Sequence, residues 1–231
     1  TINNGSGNLY VNPTANVDGV TVNVVQAGNV STDYAKWQVI TKAQLISSLS
    51  AATASTPVDA SFYIKDPDFD VHNENQSSWK ATNITFEGGG NAGHTVESYN
   101  TESFSLSQTL SGIPNGKYKV TCNGLYRASA RNAVLYAGEK ETALMAIDGD
   151  ASATAFCNSM KTAHESDETP SWQETSLPYW QWQAAACFAQ NFFLNEVTDV
   201  VVTDGTLEIG VKKTTKEESD WACLDNFKLY Y

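Results

Sequence analysis

Basic residues are scarce in this chain. It has 14 Lys and Arg against 26 Asp and Glu, for a formal charge of -12 over 231 residues. Holding a polyanion takes clustered Lys and Arg, so this balance excludes nucleic acid as the partner. It also disfavours an anionic membrane surface. Long apolar runs are missing as well, so no segment is expected to insert in a bilayer as a helix. No charged-then-apolar leader opens the chain. The expectation is that a leader was removed, or that the sequence begins inside a longer protein. No Cys-x-x-Cys occurs, which argues against a structural zinc site. His72, His94 and His164 lack metal-ligand spacing and read as surface residues. Gly88-Gly89-Gly90 is followed by Asn91 and lacks the Lys-Ser/Thr of a phosphate loop. No Gly-x-Ser-x-Gly elbow is present.

Apolar content, by contrast, is adequate. Hydrophobic residues make up 41% and aromatics 11%, enough for a real core. The length suits one large domain, or one domain plus a small piece. Thr, Ser and Asn are abundant while Lys and Glu are few, which favours strands and tight turns over helical surfaces. Four cysteines are present, an even count that fits disulfides in an oxidising compartment. Cys122 and Cys223 sit in strand-like apolar runs and read as small buried hydrophobes. For Cys157 and Cys187 the sequence leaves pairing open.

Residues 1–40 read as short β segments, with Val20, Val22 and Val24 alternating with polar residues and a further strand at 37–40. A helix is expected over 42–52, opened by a Thr41/Gln44 capping box and stopped by Pro57. Residues 54–60 read as a linker. The chain thus divides into an N-terminal flanking segment, 1–60, and a β-rich module, 61–231. In the module, 103–110 alternates as a strand, and 113–116 (IPNG) is a turn into a second strand over 117–126. Alternation slips near Gly124, which suggests a bulge or bend. Residues 132–137 and 142–147 form a strand pair. Asp204-Gly205 reads as the turn of a hairpin, and 221–231 as a closing strand. Many short strands joined by such turns mean a β-sandwich or jelly roll. Residues 148–199 break the pattern. Within them Trp180, Ala184, Cys187 and Phe188 recur at helical spacing, one face of a short helix packed on the sandwich. Trp180 is therefore expected to pack.

Several runs resemble one family. WQVITKAQLISSLSAAT (37–53), PVDASFYIKDPDFD (57–70) and SLSQTLSGIPNGKYKVTCNGLYR (105–127) are followed in order by FCNSM (156–160), TDGTLEIGVK (203–212) and DWACLDNFKLYY (220–231). Together they resemble a β-sandwich module common in secreted and cell-surface glycan-degrading proteins of Bacteroidetes-type bacteria. The resemblance implies an all-β, galactose-binding-like sandwich with one or two short helices. It also implies an extracellular or outer-surface location, and a non-catalytic role holding a parent protein on a polysaccharide.

Sugar recognition pairs aromatic rings, which cover the apolar face of a pyranose, with polar groups that bind its hydroxyls. Trp172 is one candidate, because it stands in an acidic loop (HESDETPSWQE, 164–174) without apolar neighbours. Tyr179 and Trp182 either join it or cover the seam between helix and sandwich. Arg127 either clamps a ligand or, the favoured reading, makes a buried ion pair or carbonyl clamp. Trp79 is expected in the core, and Trp221 in the core or at the rim. Asp70 and Asp225 are the metal candidates. Strict alternation places Asp225 on one face with Cys223, Phe227 and Leu229, where a carboxylate needs a cation or donors. The resemblance implies one structural calcium there. The opposing reading is that Asp225 and Asn226 accept backbone hydrogen bonds and cap a loop.

The expected partner is a polysaccharide or oligosaccharide. A neutral one is favoured by the acidic loop beside Trp172. Other domains of a parent chain are further partners, and the module itself is expected to be monomeric. Two rivals stand beside this reading: a spacer without ligand, and a glycosidase or polysaccharide lyase. A cleft with two carboxylates, or with a Tyr beside Arg or His, would favour the enzyme.

Overall fold

In the computed structural model, residues 10–12, 23–25, 41–69, 78–86, 94–128, 132–163 and 177–231 are described. The chain forms two compact units, Thr1–Ala51 and Ala52–Tyr231. In the first, β1 (Tyr10–Asn12) pairs antiparallel with β2 (Asn23–Val25). The strand expected at 37–40 lies outside the described residues. Helix α1 (Lys42–Ser48) opens on the expected capping box. Gln44 N donates to Thr41 Oγ1 at 3.2 Å, and Thr41 N donates to Gln44 Oε1 at 2.9 Å. The helix gives way to a 3-10 turn, Leu49–Ala51, well before Pro57.

The second unit is a β-sandwich. One sheet contains β4 (Thr85–Phe86), β5 (Val96–Tyr99), β7 (Gly116–Arg127), β10 (Met145–Ala146), β11 (Leu194–Val202) and β13 (Trp221–Tyr230). Here β7 is flanked by β13 on one side and by β10 and β11 on the other. The other sheet runs β3 (Lys80–Thr82), β6 (Phe104–Ser111), β12 (Thr206–Lys213), β8 (Ala133–Ala137), β9 (Lys140–Ala143). Two expected strand connections change meaning. The 113–116 turn joins β6 to β7, and Asp204-Gly205 joins β11 to β12, yet each pair lies in different sheets. These turns carry the chain between layers, so Asp204-Gly205 is not a hairpin. The tight hairpin is β8–β9, with Gly138 at φ 58° in its turn.

The residues before the module are tied to it. Val58 N donates to Tyr231 O and Ala60 N to Leu229 O, so the end of the 54–60 stretch adds to the edge of β13. Between the sheets, Trp79 lies 4.8 Å from Phe227 and 5.6 Å from Phe69, ring to ring. Its indole N–H reaches the carbonyls of Lys65 and Asp66 at 3.0 Å, which satisfies the buried donor. Trp79 is therefore core, as its sequence context implied.

Alternation fails near Gly124 because β7 is covered on both faces there. One face meets the sandwich interior. The other, through Leu125, meets a layer made by α2 (Ala151–Ala163) and α3 (Gln181–Ala189). Asp150 opens α2 by accepting from Ser152 N and Ala153 N, and its second oxygen accepts from Phe193 N. The bulge itself is on β13. The register with β7 shifts between Asp225 and Lys228, and Asn226 has φ 53°. That bulge corrects the expected placement of Asp225. Cys223 pairs with Leu125 and Asp225 with Asn123, whereas Leu229 pairs with Val120, a position of opposite parity on β7. Asp225 thus shares the helix-covered face with Trp221 and Cys223, while Leu229 turns inward, as Phe227 does against Phe69 and Trp79.

Candidate functional site

The outer face of the first sheet is not wholly covered. On β13, Trp221 pairs with Tyr99 of β5 on one side and Arg127 of β7 on the other. Directly paired residues point to the same face, so these three side chains form a row across three strands. The next row holds Glu97, opposite Cys223. Trp221 is 3% exposed and donates its indole N–H to Glu97 Oε2 at 2.7 Å. Above the row, the chain enters α3. Gln183, buried in the helix, accepts from the backbone N–H groups of Tyr179 (2.7 Å) and Trp180 (3.0 Å). That fork fixes the two rings in a T-shaped pair with centroids 5.3 Å apart.

These groups enclose an open cavity of about 380 Å³. Three of its rings are unusually bare: Tyr99 is 56% exposed, Tyr179 49% and Trp180 41%. Scattered exposed apolar residues need no explanation, but three large rings around one cavity form a patch. Arg127 sits among them. Its guanidinium carbon is 5.2 Å from the Tyr179 ring centre, 5.3 Å from Trp221 and 5.7 Å from Tyr99. All three distances lie within cation–π range. Among the described residues its N–H groups make no hydrogen bond or ion pair. The expected buried ion pair or carbonyl clamp is therefore replaced by an aromatic cage. Gln181 also lines the cavity, and its buried Nε2 finds no hydrogen-bond acceptor among the described residues. The site thus offers ring faces, one carboxylate, and donors on Arg127 and Gln181.

Of the residues singled out in the sequence, Arg127 and Tyr179 meet here. Trp182 is half-buried on α3 and does not line this cavity. Trp172 lies outside the described residues, as does Asp70. Trp180 corrects its sequence reading. It precedes the first turn of α3 rather than joining its apolar face, and only Ala184, Cys187 and Phe188 of that series are buried. Glu97, Tyr99 and Gln181 were missed. Strand pairing, which sequence pattern does not report, is what brings the first two beside Trp221.

Asp225 is 8% exposed, and its Oδ1 accepts from Asn226 N at 2.7 Å. Among the described residues no group of three His, Cys, Asp or Glu is placed to hold a metal. A calcium at Asp225 would need Asp70. A larger cavity, about 460 Å³, lies where Tyr118, Tyr230 and Tyr231 meet Lys117 and Lys119. The hydroxyls of Tyr118 and Tyr231 already donate to the carbonyls of Pro114 and Asn115, and none of the bare rings lies there.

No family model matches the sequence, and no curated protein matches it. Among solved structures, the carbohydrate-binding module TmCBM61, in complex with beta-1,4-galactotriose, is similar at 18% sequence identity and a TM-score of 0.39. The match covers 72% of this chain and 96% of that one. Among the described residues no helix is long and apolar enough to cross a membrane.

Proposed function

We propose that the chain is a non-catalytic carbohydrate-binding module of a secreted or cell-surface bacterial glycan-processing protein. The observation that carries this reading is the convergence of Tyr99, Tyr179 and Trp180, all exposed, on one cavity that also presents Arg127 and Glu97. A pyranose would lie against Tyr179 or Trp180, its hydroxyls bound by the Arg127 and Gln181 donors and by the Glu97 carboxylate. A neutral glycan is favoured, because Glu97 offsets the Arg127 charge within the site and the chain as a whole is strongly acidic.

Affinity electrophoresis on neutral and acidic plant, fungal and host polysaccharides tests this. The wild type is expected to be retarded by at least one neutral polymer. Tyr179→Ala combined with Trp180→Ala is expected to weaken that binding about tenfold or more. Both side chains are exposed, so the thermal midpoint should barely move. Trp172→Ala and Trp182→Ala show whether the site extends to either ring. A wild type that binds no polymer supports the spacer.

One observation favours a second reading. Arg127 lies beside two tyrosines, so a cation able to neutralise a uronate stands next to phenols able to move a proton, as a polysaccharide lyase would need. Among the described lining residues Glu97 is the sole carboxylate, so a two-carboxylate glycosidase draws no support from them. Incubation with polygalacturonate and alginate, followed by ultraviolet absorbance of unsaturated products, separates lyase from binder. The module reading expects no rise in absorbance.

A structural calcium held by Asp70 and Asp225 belongs to the same proposal. It is supported by the burial of Asp225, 8% exposed as a residue. Adding chelator is expected to lower the thermal midpoint, and Asp225→Asn to abolish that effect. An unchanged midpoint removes the metal.

A further inference from the structure

The thiols of Cys157 on α2 and Cys187 on α3 lie 3.7 Å apart. Both side chains are fully buried, packed with Ala153, Ala184, Phe188 and Phe193 in the layer that covers Leu125, Trp221 and Cys223 of the sheet. The remaining two cysteines differ. Cys122 and Cys223 lie on neighbouring strands but point to opposite faces, since Cys223 is paired with Leu125, three residues from Cys122. Burial, with the Asp225 carboxylate adding to it, pushes both of those thiols well above the ordinary range. They are inert fillers of the two sides of one sheet.

We propose that Cys157 and Cys187 are an oxidisable pair, and that in an oxidising compartment they form a disulfide that clasps α2 to α3 over the outer face of the sheet. The oxidant is a small-molecule disulfide such as oxidised glutathione. The thiolate of one cysteine of the pair, its proton given to solvent, attacks one sulfur of the oxidant and expels a thiolate, leaving a mixed disulfide. The other cysteine loses its proton to that thiolate and attacks the protein sulfur of the mixed disulfide, expelling a second thiolate that takes a proton from solvent. Two protein thiols are oxidised and one external disulfide is reduced to two thiols. Both sulfurs are shielded from solvent, so exchange requires the helix pair to open and is slow in the native state. The bond is made most readily during folding. It closes a loop between residues 30 apart and fastens the helix that follows the Tyr179–Trp180 pair.

The test is to unfold the protein and refold it in a mixture of reduced and oxidised glutathione, then alkylate it under denaturing conditions. The expected product carries two alkyl groups, on Cys122 and Cys223, and a Cys157–Cys187 link in its peptide map. Its thermal midpoint should exceed that of the reduced wild type by about 5 °C or more. The gain should vanish when the comparison is made on Cys157→Ala/Cys187→Ala. Four alkylated cysteines, or a link involving Cys122 or Cys223, would overturn the proposal. None of these readouts depends on whether a glycan binds.

Discussion

Replacing Asp220 by alanine is expected to destabilise the sandwich by about 3–5 kcal/mol, because it strands a buried cation. Lys213 and Asp220 are each 1% exposed, and the Lys213 ammonium is bonded to Asp220 Oδ2. The same oxygen accepts from Tyr126 OH at 2.8 Å, and Lys213 Nζ donates to Thr101 O at 2.6 Å. Burial and the Asp220 carboxylate raise the Tyr126 pKa, so its hydroxyl stays a donor. One carboxylate thus joins β7, β12 and the start of β13. In Asp220→Ala the ammonium loses its counter-charge but cannot reach water. The thermal midpoint should fall by about 10 °C. Lys213→Met/Asp220→Leu removes both charges and should be far less damaging than the single change. Glu102→Ala, which breaks the exposed Lys216–Glu102 pair, should change little. Equal losses from Asp220→Ala and Glu102→Ala would contradict this account.

Gly210→Ala is the second large effect. Gly210 lies in β12 between Ser107 of β6 and Tyr136 of β8. An added Cβ would stand 2.1 Å from the Leu106 carbonyl oxygen and 3.0 Å from Ser107 Cα. Both are backbone atoms of a paired strand, so relief requires β6 to move away from β12. The loss should be at least about 3 kcal/mol, at or beyond the usual range for overpacking. Gly112→Ala is the comparison. Its φ is 69° and nothing lies within 4 Å of the added carbon, so it incurs only conformational strain, about 1 kcal/mol. Chemical denaturation of the two variants separates steric exclusion from strain.

Local features of the fold were legible in the sequence where physics is local. The Thr41/Gln44 capping box and the alternation of Phe104, Leu106 and Leu110 follow from neighbouring residues, and both stand in the structure. Layer assignment was not legible. Asp204-Gly205 has the chemistry of a hairpin turn, yet its two strands pair with different partners, and pairing is decided far along the chain. Helix α2 was hidden because Ala153, Phe156, Cys157 and Met160 carry its buried spacing amid Ala, Ser and Thr of low contrast. The Asn226 bulge reversed the face of everything after Asp225, and one residue in a left-handed conformation has no marker in a run of apolar alternation.

The candidate site divides in the same way. Arg127 and Tyr179 stood out by residue type. Tyr99 and Glu97 became part of it only through their register with β13. Trp180 satisfied a helical spacing that its position before the first turn of α3 makes irrelevant. A spacing match at the edge of a helix reports a face only if the helix includes that residue.

The most direct measurement of the binding proposal is a titration of tryptophan indole N–H resonances with soluble fragments of the neutral polysaccharides used in electrophoresis. Trp180 borders the cavity and Trp221 forms its floor, hydrogen-bonded to Glu97, whereas Trp79 is sealed between the sheets. The account predicts saturable shifts at Trp180 and Trp221 and none at Trp79, with both shifts lost in the Tyr179→Ala/Trp180→Ala protein, where only Trp221 is left to report. A fragment that binds while leaving Trp180 and Trp221 unmoved, or the absence of any shift with every fragment, would contradict it.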